Sequence, residues 1–268
     1  MLFKYWPPIL MLDFEVISHT EIDRSVSVFN RDGFVIIRDA LAPDQLALAQ
    51  SGTRREVANQ MAEIPVERAN RGYARYSFNQ QRIHLPEWYQ LIDLPTILPI
   101  LEQVWGSSDY ICIGAGGDYS TPGAKIQPLH SDLSDLLNDP LSQVKIQDIP
   151  TPYVAVNFLM AEFKAINGAI RFVPGTHRSR KPIPKLEDEP DWMKSSIVCA
   201  PAGTVIIRDV RCWHGGTANN SDEIRPMLDV LYLAPWFRLP HMNQILSRPS
   251  YENVSPRAQS QCRFIVED

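Results

Sequence analysis

The stretch "QPLHSD", residues 127–132, places His130 and Asp132 two positions apart. On an extended segment that spacing points both side chains to one face, where an imidazole and a carboxylate reach a single ion. A third donor, His214 in "WHGG", stands late in the chain. Two histidines and one carboxylate with coordination positions left open are the usual set that holds Fe(II) in non-haem oxygenases. The H-x-D pair alone says little, because a chain with 6 histidines and 31 acidic residues produces such pairs without a metal. A histidine satisfied by a neighbouring carboxylate is the plainer reading of it. Order adds the weight: the pair falls early in a strand-rich region, His214 falls late in it, and a charged residue follows at a fixed distance.

That residue is Arg225, eleven positions after His214, at the head of the apolar run "RPMLDVLYL". The intervening "GGTANNSDE" is turn material, since Gly and Asn tolerate left-handed backbone and Ser and Asp bond locally to the chain. Two neighbouring antiparallel strands are therefore expected, one bearing the histidine and the other the arginine. An arginine projecting inward from a barrel strand is a costly buried charge unless an anion meets it. A dicarboxylate co-substrate such as 2-oxoglutarate supplies the anion, because guanidinium and carboxylate pair through two parallel hydrogen bonds while the 2-oxo acid end is free to chelate iron. The bland alternative is a surface arginine paired with Asp222 or Glu223.

The elements that must position these residues follow from the rest of the chain. With 268 residues, 44% apolar and 21% charged, it is long enough for one large core, and a single domain over residues 1–268 is favoured. Up to about residue 108 the pattern is helical, with Ile22, Val26 and Phe29 at helical spacing before Gly33, a long helix over residues 42–64 with Asp44 as candidate cap, and a third helical region, residues 86–106, broken by prolines. "FVIIRDA" is a short strand among them. From about 109 to 240 the chain consists of short β-rich runs separated by Gly, Pro, Asn and Asp clusters. Helices followed by many short strands predict an α+β chain with a double-sheet jelly-roll core. The polar, Pro-rich "KPIPKLEDEPDWMK" is either a surface loop or a lid.

The net charge of −5 argues against nucleic acid as a partner. No run reaches the roughly 18 apolar residues of a spanning helix, so no membrane is expected either. Four scattered cysteines suggest neither a metal site nor a disulfide framework, which fits a reducing, cytoplasmic setting. The apolar start "MLFKYWPPILMLDF" reads as an ordered arm, and "RFIVED" is no peroxisomal or retention signal. Trp213 and Trp236 read as core, and His177 as turn context outside the metal set.

Four stretches together resemble the phytanoyl-CoA dioxygenase family of Fe(II)/2-oxoglutarate-dependent oxygenases: "FNRDGFVIIRDALAPDQL", "QPLHSD", "NGAIRFVPGTH" and "WHGGTANNSDEIRP". The resemblance implies a double-stranded β-helix, a cupin-like jelly roll, with N-terminal helices packed on one sheet. It implies His130, Asp132 and His214 as iron ligands, Arg225 as the 2-oxoglutarate residue and Gln127 as a second co-substrate contact, with O₂ as oxidant. Arg71 or Arg75 offers the early basic residue common in the family, and Ile170 stands where relatives with "NGAT" carry threonine. The implied activity is oxidation of a small organic substrate in secondary metabolism by a monomer or homodimer. Alternatives are action on a lipid or acyl thioester, a halogenase, which Asp132 argues against because chloride must take the carboxylate position, and a non-catalytic binding protein that kept the fold.

Overall fold

The computed structural model describes residues 12–79, 81–137, 139–240 and 242–267; the N-terminal residues 1–11 read as an arm, and His241, lie outside them. The apolar run that follows Arg225 forms strand β9 (Arg225–Leu233), at the heart of a seven-stranded sheet. On one side of it lie β5 (Tyr153–Leu159), β7 (Val205–Asp209), β2 (Phe34–Arg38) and β1 (Val16–Ser18), and on the other β4 (Ile111–Ser120) and β3 (Arg75–Asn79). Every pairing is antiparallel except that of β1 with β2.

A smaller sheet pairs β6 (Ile170–Phe172) with β8 (His214–Gly216). Single bridges widen it, from Arg171 to Ile197 on one side and from His214 to His130 on the other. The two sheets form the expected jelly roll. Period-two alternation decides what each strand face meets. On β9, Leu228, Val230 and Tyr232 pack into the core shared with the helices, whereas Arg225, Met227, Asp229 and Leu231 face the cavity between the sheets.

The helices cover the outer face of the large sheet. Helix α1 (Ile22–Asp32) buries Val26, Val28 and Phe29 and stops at Gly33, which sits at φ 83° and returns its N–H to Phe29 O at 2.8 Å. A Cβ there would fall 2.5 Å from Nδ1 of the buried His177. Gly33→Ala is therefore expected to cost about 1–2 kcal/mol from the left-handed backbone alone, lowering Tm by roughly 2–8 °C in a thermal melt. Helix α2 (Pro43–Glu63) begins two positions earlier than a cap at Asp44 requires: Ala42 takes the cap position, its N–H bonded to Gln45 Oε1 at 3.0 Å, and Pro43 opens the first turn. Proline splits the third helical region into α3 (Pro86–Tyr89) and α4 (Leu98–Trp105). Three further short helices, α5 (Asp191–Lys194), α6 (Arg248–Glu252) and α7 (Pro256–Cys262), complete the chain, with α7 against β4.

The N-terminal third is less purely helical than its sequence pattern. It delivers β1, β2 and β3 to the large sheet, and only β2 is apparent from the pattern.

Candidate active site

Segment 127–130 runs antiparallel to β8. His130 and His214 exchange both backbone hydrogen bonds at 3.0 Å, and Gln127 N donates to Gly216 O at 2.9 Å. Residues paired this way stand directly opposite one another with side chains on one face. The two imidazoles accordingly lie with ring centroids 4.3 Å apart. Asp132, fixed by its N–H to Val210 O at 2.9 Å, brings its carboxylate 3.7 Å from His130 Nε2 and 3.5 Å from His214 Nε2. One donor atom from each of the three lies within 4.8 Å of the others.

Second partners orient the donors. His214 Nδ1 lies 2.9 Å from Cys212 O and His130 Nδ1 3.3 Å from Pro128 O, so each Nδ1–H has a carbonyl and each Nε2 lone pair is left for the site. Burial, reinforced by the charge of Arg208, lowers His214 to about 3 and keeps it a neutral ligand. Burial would raise the Asp132 carboxyl, but Arg208 and then the two histidines pull it far below the usual carboxylate range. Two imidazoles and one carboxylate, converging and open on one side to a cavity, fit Fe(II).

Arg225 stands across that cavity. The expected hairpin of neighbouring strands is corrected here: β8 belongs to the small sheet and β9 to the large one, so histidine and arginine face each other across the barrel. Turn residues in 217–224 announce a reversal and leave open which sheet the chain enters. The pairing with Asp222 or Glu223 is also absent, since Glu223 takes Lys164 Nζ at 2.8 Å. Arg225 is 3% exposed, lies over the Phe163 ring at 4.8 Å, and its Nε and Nη1 have no partner among the described residues. Burial, then the charge of Arg75, lowers it to about 9.

A cavity of about 310 Å³ joins Arg225 to the triad. Arg75 lines it too, 7% exposed, donating to Lys125 O at 2.8 Å and to Thr217 O. Arg71 is the exposed one of the two early arginines, 3.7 Å from Asp118. Gln127 is in the wall with its Oε1 accepting the Gly216 N–H at 2.9 Å, and Ile170 lines the cavity as well. His19, His84 and His177 are not in the ligand group. Trp213 is buried, whereas Trp236 is 52% exposed and is not the core residue expected.

The segment read as loop or lid is tied down behind the stretch that carries His130. Its Glu189 and Arg171 form a fully buried pair at 2.5 Å. Glu189 Oε1 also accepts the Leu129 N–H at 3.3 Å, and Arg171 donates to Gln127 O at 2.8 Å. A side chain delivered by the insertion thus braces the backbone that carries His130.

Sequence reasoning passed over Arg208, whose only signal is a charge inside the apolar run "VIIRD". It is 7% exposed and donates from Nη2 to Asp132 Oδ2 at 2.7 Å and from Nε to Asn157 Oδ1 at 3.0 Å. Arg208→Met removes the group that aims Asp132. Metal affinity, read by titrating Fe(II) anaerobically, is expected to fall roughly tenfold, the usual scale for partners of a ligand.

The profile of the phytanoyl-CoA dioxygenase (PhyH) family matches residues 29–227, which contain all of these residues. The chain belongs to the phytanoyl-CoA dioxygenase family. Dioxygenase af480 of Aspergillus fumigatus is 28% identical over 187 residues, 67% of this chain and 57% of that protein. The iron/alpha-ketoglutarate-dependent dioxygenase okaE of Penicillium ochrochloron is 27% identical over 157 residues, 56% of this chain and 48% of that protein. The chain thus spans about half the length of these curated relatives. Among solved structures, the epimerase SnoN in complex with Fe3+, alpha ketoglutarate and nogalamycin RO superposes with a TM-score of 0.62 at 18% identity, covering 80% of this chain and 84% of SnoN. At that identity the likeness speaks for the family's fold.

Proposed function

We propose that this member of the family is an Fe(II)/2-oxoglutarate-dependent dioxygenase that oxidises a small organic substrate, with His130, Asp132 and His214 as iron ligands and Arg225 as the co-substrate anchor. The observation that carries the reading is Arg225: a buried guanidinium with unpartnered nitrogens, facing a metal-competent triad across one cavity. A desolvated charge of this kind persists when a ligand supplies its partner. A dicarboxylate of 2-oxoglutarate's shape pairs with Arg225 at one end and places its 2-oxo acid end toward the triad. When bound, Fe(II) with 2-oxoglutarate would supply the oxidation, hydroxylating, desaturating or rearranging a substrate C–H position as 2-oxoglutarate and O₂ give succinate and CO₂.

The chain's own residues do the positioning. Arg225 and Arg75 hold the co-substrate end, Arg208 fixes Asp132, and the Glu189–Arg171 pair braces the strand of His130. Gln127 keeps segment 127–130 on β8 through the Gly216 N–H. A structural neighbour from nogalamycin biosynthesis, the epimerase SnoN, supports natural-product biosynthesis over lipid breakdown. Among the described residues no helix is long and apolar enough to cross a membrane, which suits an enzyme working in the cytoplasm.

The reading is tested by the slow uncoupled conversion of 2-oxoglutarate to succinate. Wild-type protein is expected to form succinate only when Fe(II), O₂ and 2-oxoglutarate are all present. A protein that binds 2-oxoglutarate yet forms no succinate under any of these conditions, even with a broad metabolite extract added, is a binding protein that kept the fold.

A further inference from the structure

Beyond the groups assigned to iron and co-substrate, the cavity wall carries an acid without an ion-pair partner among the described residues. Asp229 lies four residues after Arg225 on the inward face of β9, and its described hydrogen bond is from the Gly116 N–H at 3.1 Å. Asp132 is engaged by Arg208 and the two histidines, whereas Asp118 has Arg71 at 3.7 Å and leaves its Oδ1 without a hydrogen bond among the described residues. Among the described residues no cation lies within ion-pair distance of Asp229. Burial, then the charge of Asp118, raises its carboxyl to about 7, as befits an acid lacking a partner.

Arg208 lines the same cavity. Its Nη2 and Nε are taken by Asp132 and Asn157, but its buried Nη1 has no partner, although the side chain is only 8% exposed. The sheet next to this pair is bare. Register sets Asp229 opposite Gly116 and Leu231 opposite Gly114, so β4 presents no side chain on the cavity face in two successive rows. Above this cleared floor the Asp229 carboxylate, held by the Gly116 N–H, and the unpartnered Arg208 Nη1 offer a ligand an acceptor and a donor, with Asn157 Nδ2, opposite Asp229 in register, a further unpaired donor.

We infer that Asp229 and Arg208 are the substrate-recognition pair of this cavity, and that the substrate is a compact molecule bearing a hydroxyl group, which donates to the Asp229 carboxylate and accepts from Arg208 Nη1. The inference rests on the oxygenase reading and adds to it the chemistry of the substrate. A hydroxyl is the small group that is donor and acceptor at one atom. An ammonium satisfies Asp229 but leaves Nη1 unpaired and sits beside a guanidinium. A carboxylate satisfies Arg208 but opposes Asp229. A hydrocarbon chain offers neither group a hydrogen bond, the kind of mismatch that polar sites reject most strongly.

Protein loaded with Zn(II) and 2-oxoglutarate, which does not turn over, separates these cases. Dissociation constants for cyclohexanol, methoxycyclohexane and cyclohexylamine, measured by ligand-observed NMR, are expected to favour the alcohol by about tenfold or more over the ether and the amine, the scale of a hydrogen bond to a charged group. Asp229→Leu is expected to erase that preference. Asp229→Asn, which keeps the volume and an acceptor for the Gly116 N–H, is expected to shrink it severalfold, and it decides the matter should the leucine variant not fold. An ether or amine bound as tightly as the alcohol by the wild type, or an alcohol preference unchanged in the asparagine variant, overturns the inference. The oxygenase reading is judged separately, by iron-dependent succinate formation from the wild type with no probe present, so the two failures are distinct.

Discussion

Alanine at His130, Asp132 or His214 is expected to reduce iron-dependent succinate formation on the order of a thousandfold or more, because the three donors act as a unit and two of them do not hold a mononuclear ion in place. The variants should differ in stability while agreeing in activity. His130 has the most accessible side chain of the three, 44% against 31% for Asp132 and 6% for His214, so His130→Ala should fold like the wild type and is the cleanest test of the triad. Asp132→Ala also strips Arg208 of its ion-pair partner and leaves a buried guanidinium uncompensated, which should lower Tm as well as activity. Anaerobic Fe(II) titration and thermal melts of the three variants read the two effects apart. Wild-type succinate formation by Asp132→Ala would overturn the ligand assignment.

What could be read from the sequence, and what could not, divides along the distance of the contacts involved. The H-x-D spacing depends on local strand geometry, and the arginine at the head of an apolar run announces itself as a charge out of place. The strands β4, β5 and β9 were apparent because their apolar content and turn boundaries are local. Strand β3 was not. Its residues "RYSFN" follow Ala74 at φ 60° and end at Asn79 at φ 52°, and the strand owes its existence to pairing with β4 rather than to its own pattern. For the same reason Arg75 and Arg71 could not be told apart. Arg75 owes its place in the cavity wall to backbone carbonyls at Lys125 and Thr217, remote in sequence. The expected hairpin of His214 and Arg225 failed similarly, since local turn chemistry does not encode which sheet receives the returning chain. Arg208 and Asp229 lay hidden in strands whose apolar pattern drew the eye to the core.

The second large effect concerns Arg225 and separates binding from stability. A hydrogen bond to a charged group contributes about 1.5–3 kcal/mol, so Arg225→Ala should weaken the apparent affinity for 2-oxoglutarate by roughly one to two orders of magnitude. Arg225→Lys keeps the charge without the planar fork and should lose less. Arg75 remains at the same end of the cavity and keeps the loss from being total. A co-substrate without the distal carboxylate, 2-oxobutyrate, should show the same affinity in wild type and alanine variant, so its disadvantage relative to 2-oxoglutarate closes. Stability should move in the opposite direction. In the free protein the guanidinium is buried beside Arg75 with two nitrogens unpartnered, so Arg225→Met, which fills much of the same volume without charge, should raise Tm when no 2-oxoglutarate is present. Added 2-oxoglutarate should raise the wild-type Tm by mass action and leave that of the methionine variant almost unchanged. A structural arginine predicts the reverse pattern, a lower Tm for the methionine variant and an undiminished response to 2-oxoglutarate. The crossing of the two melting curves on addition of co-substrate therefore decides whether this buried charge is kept for the fold or for the ligand.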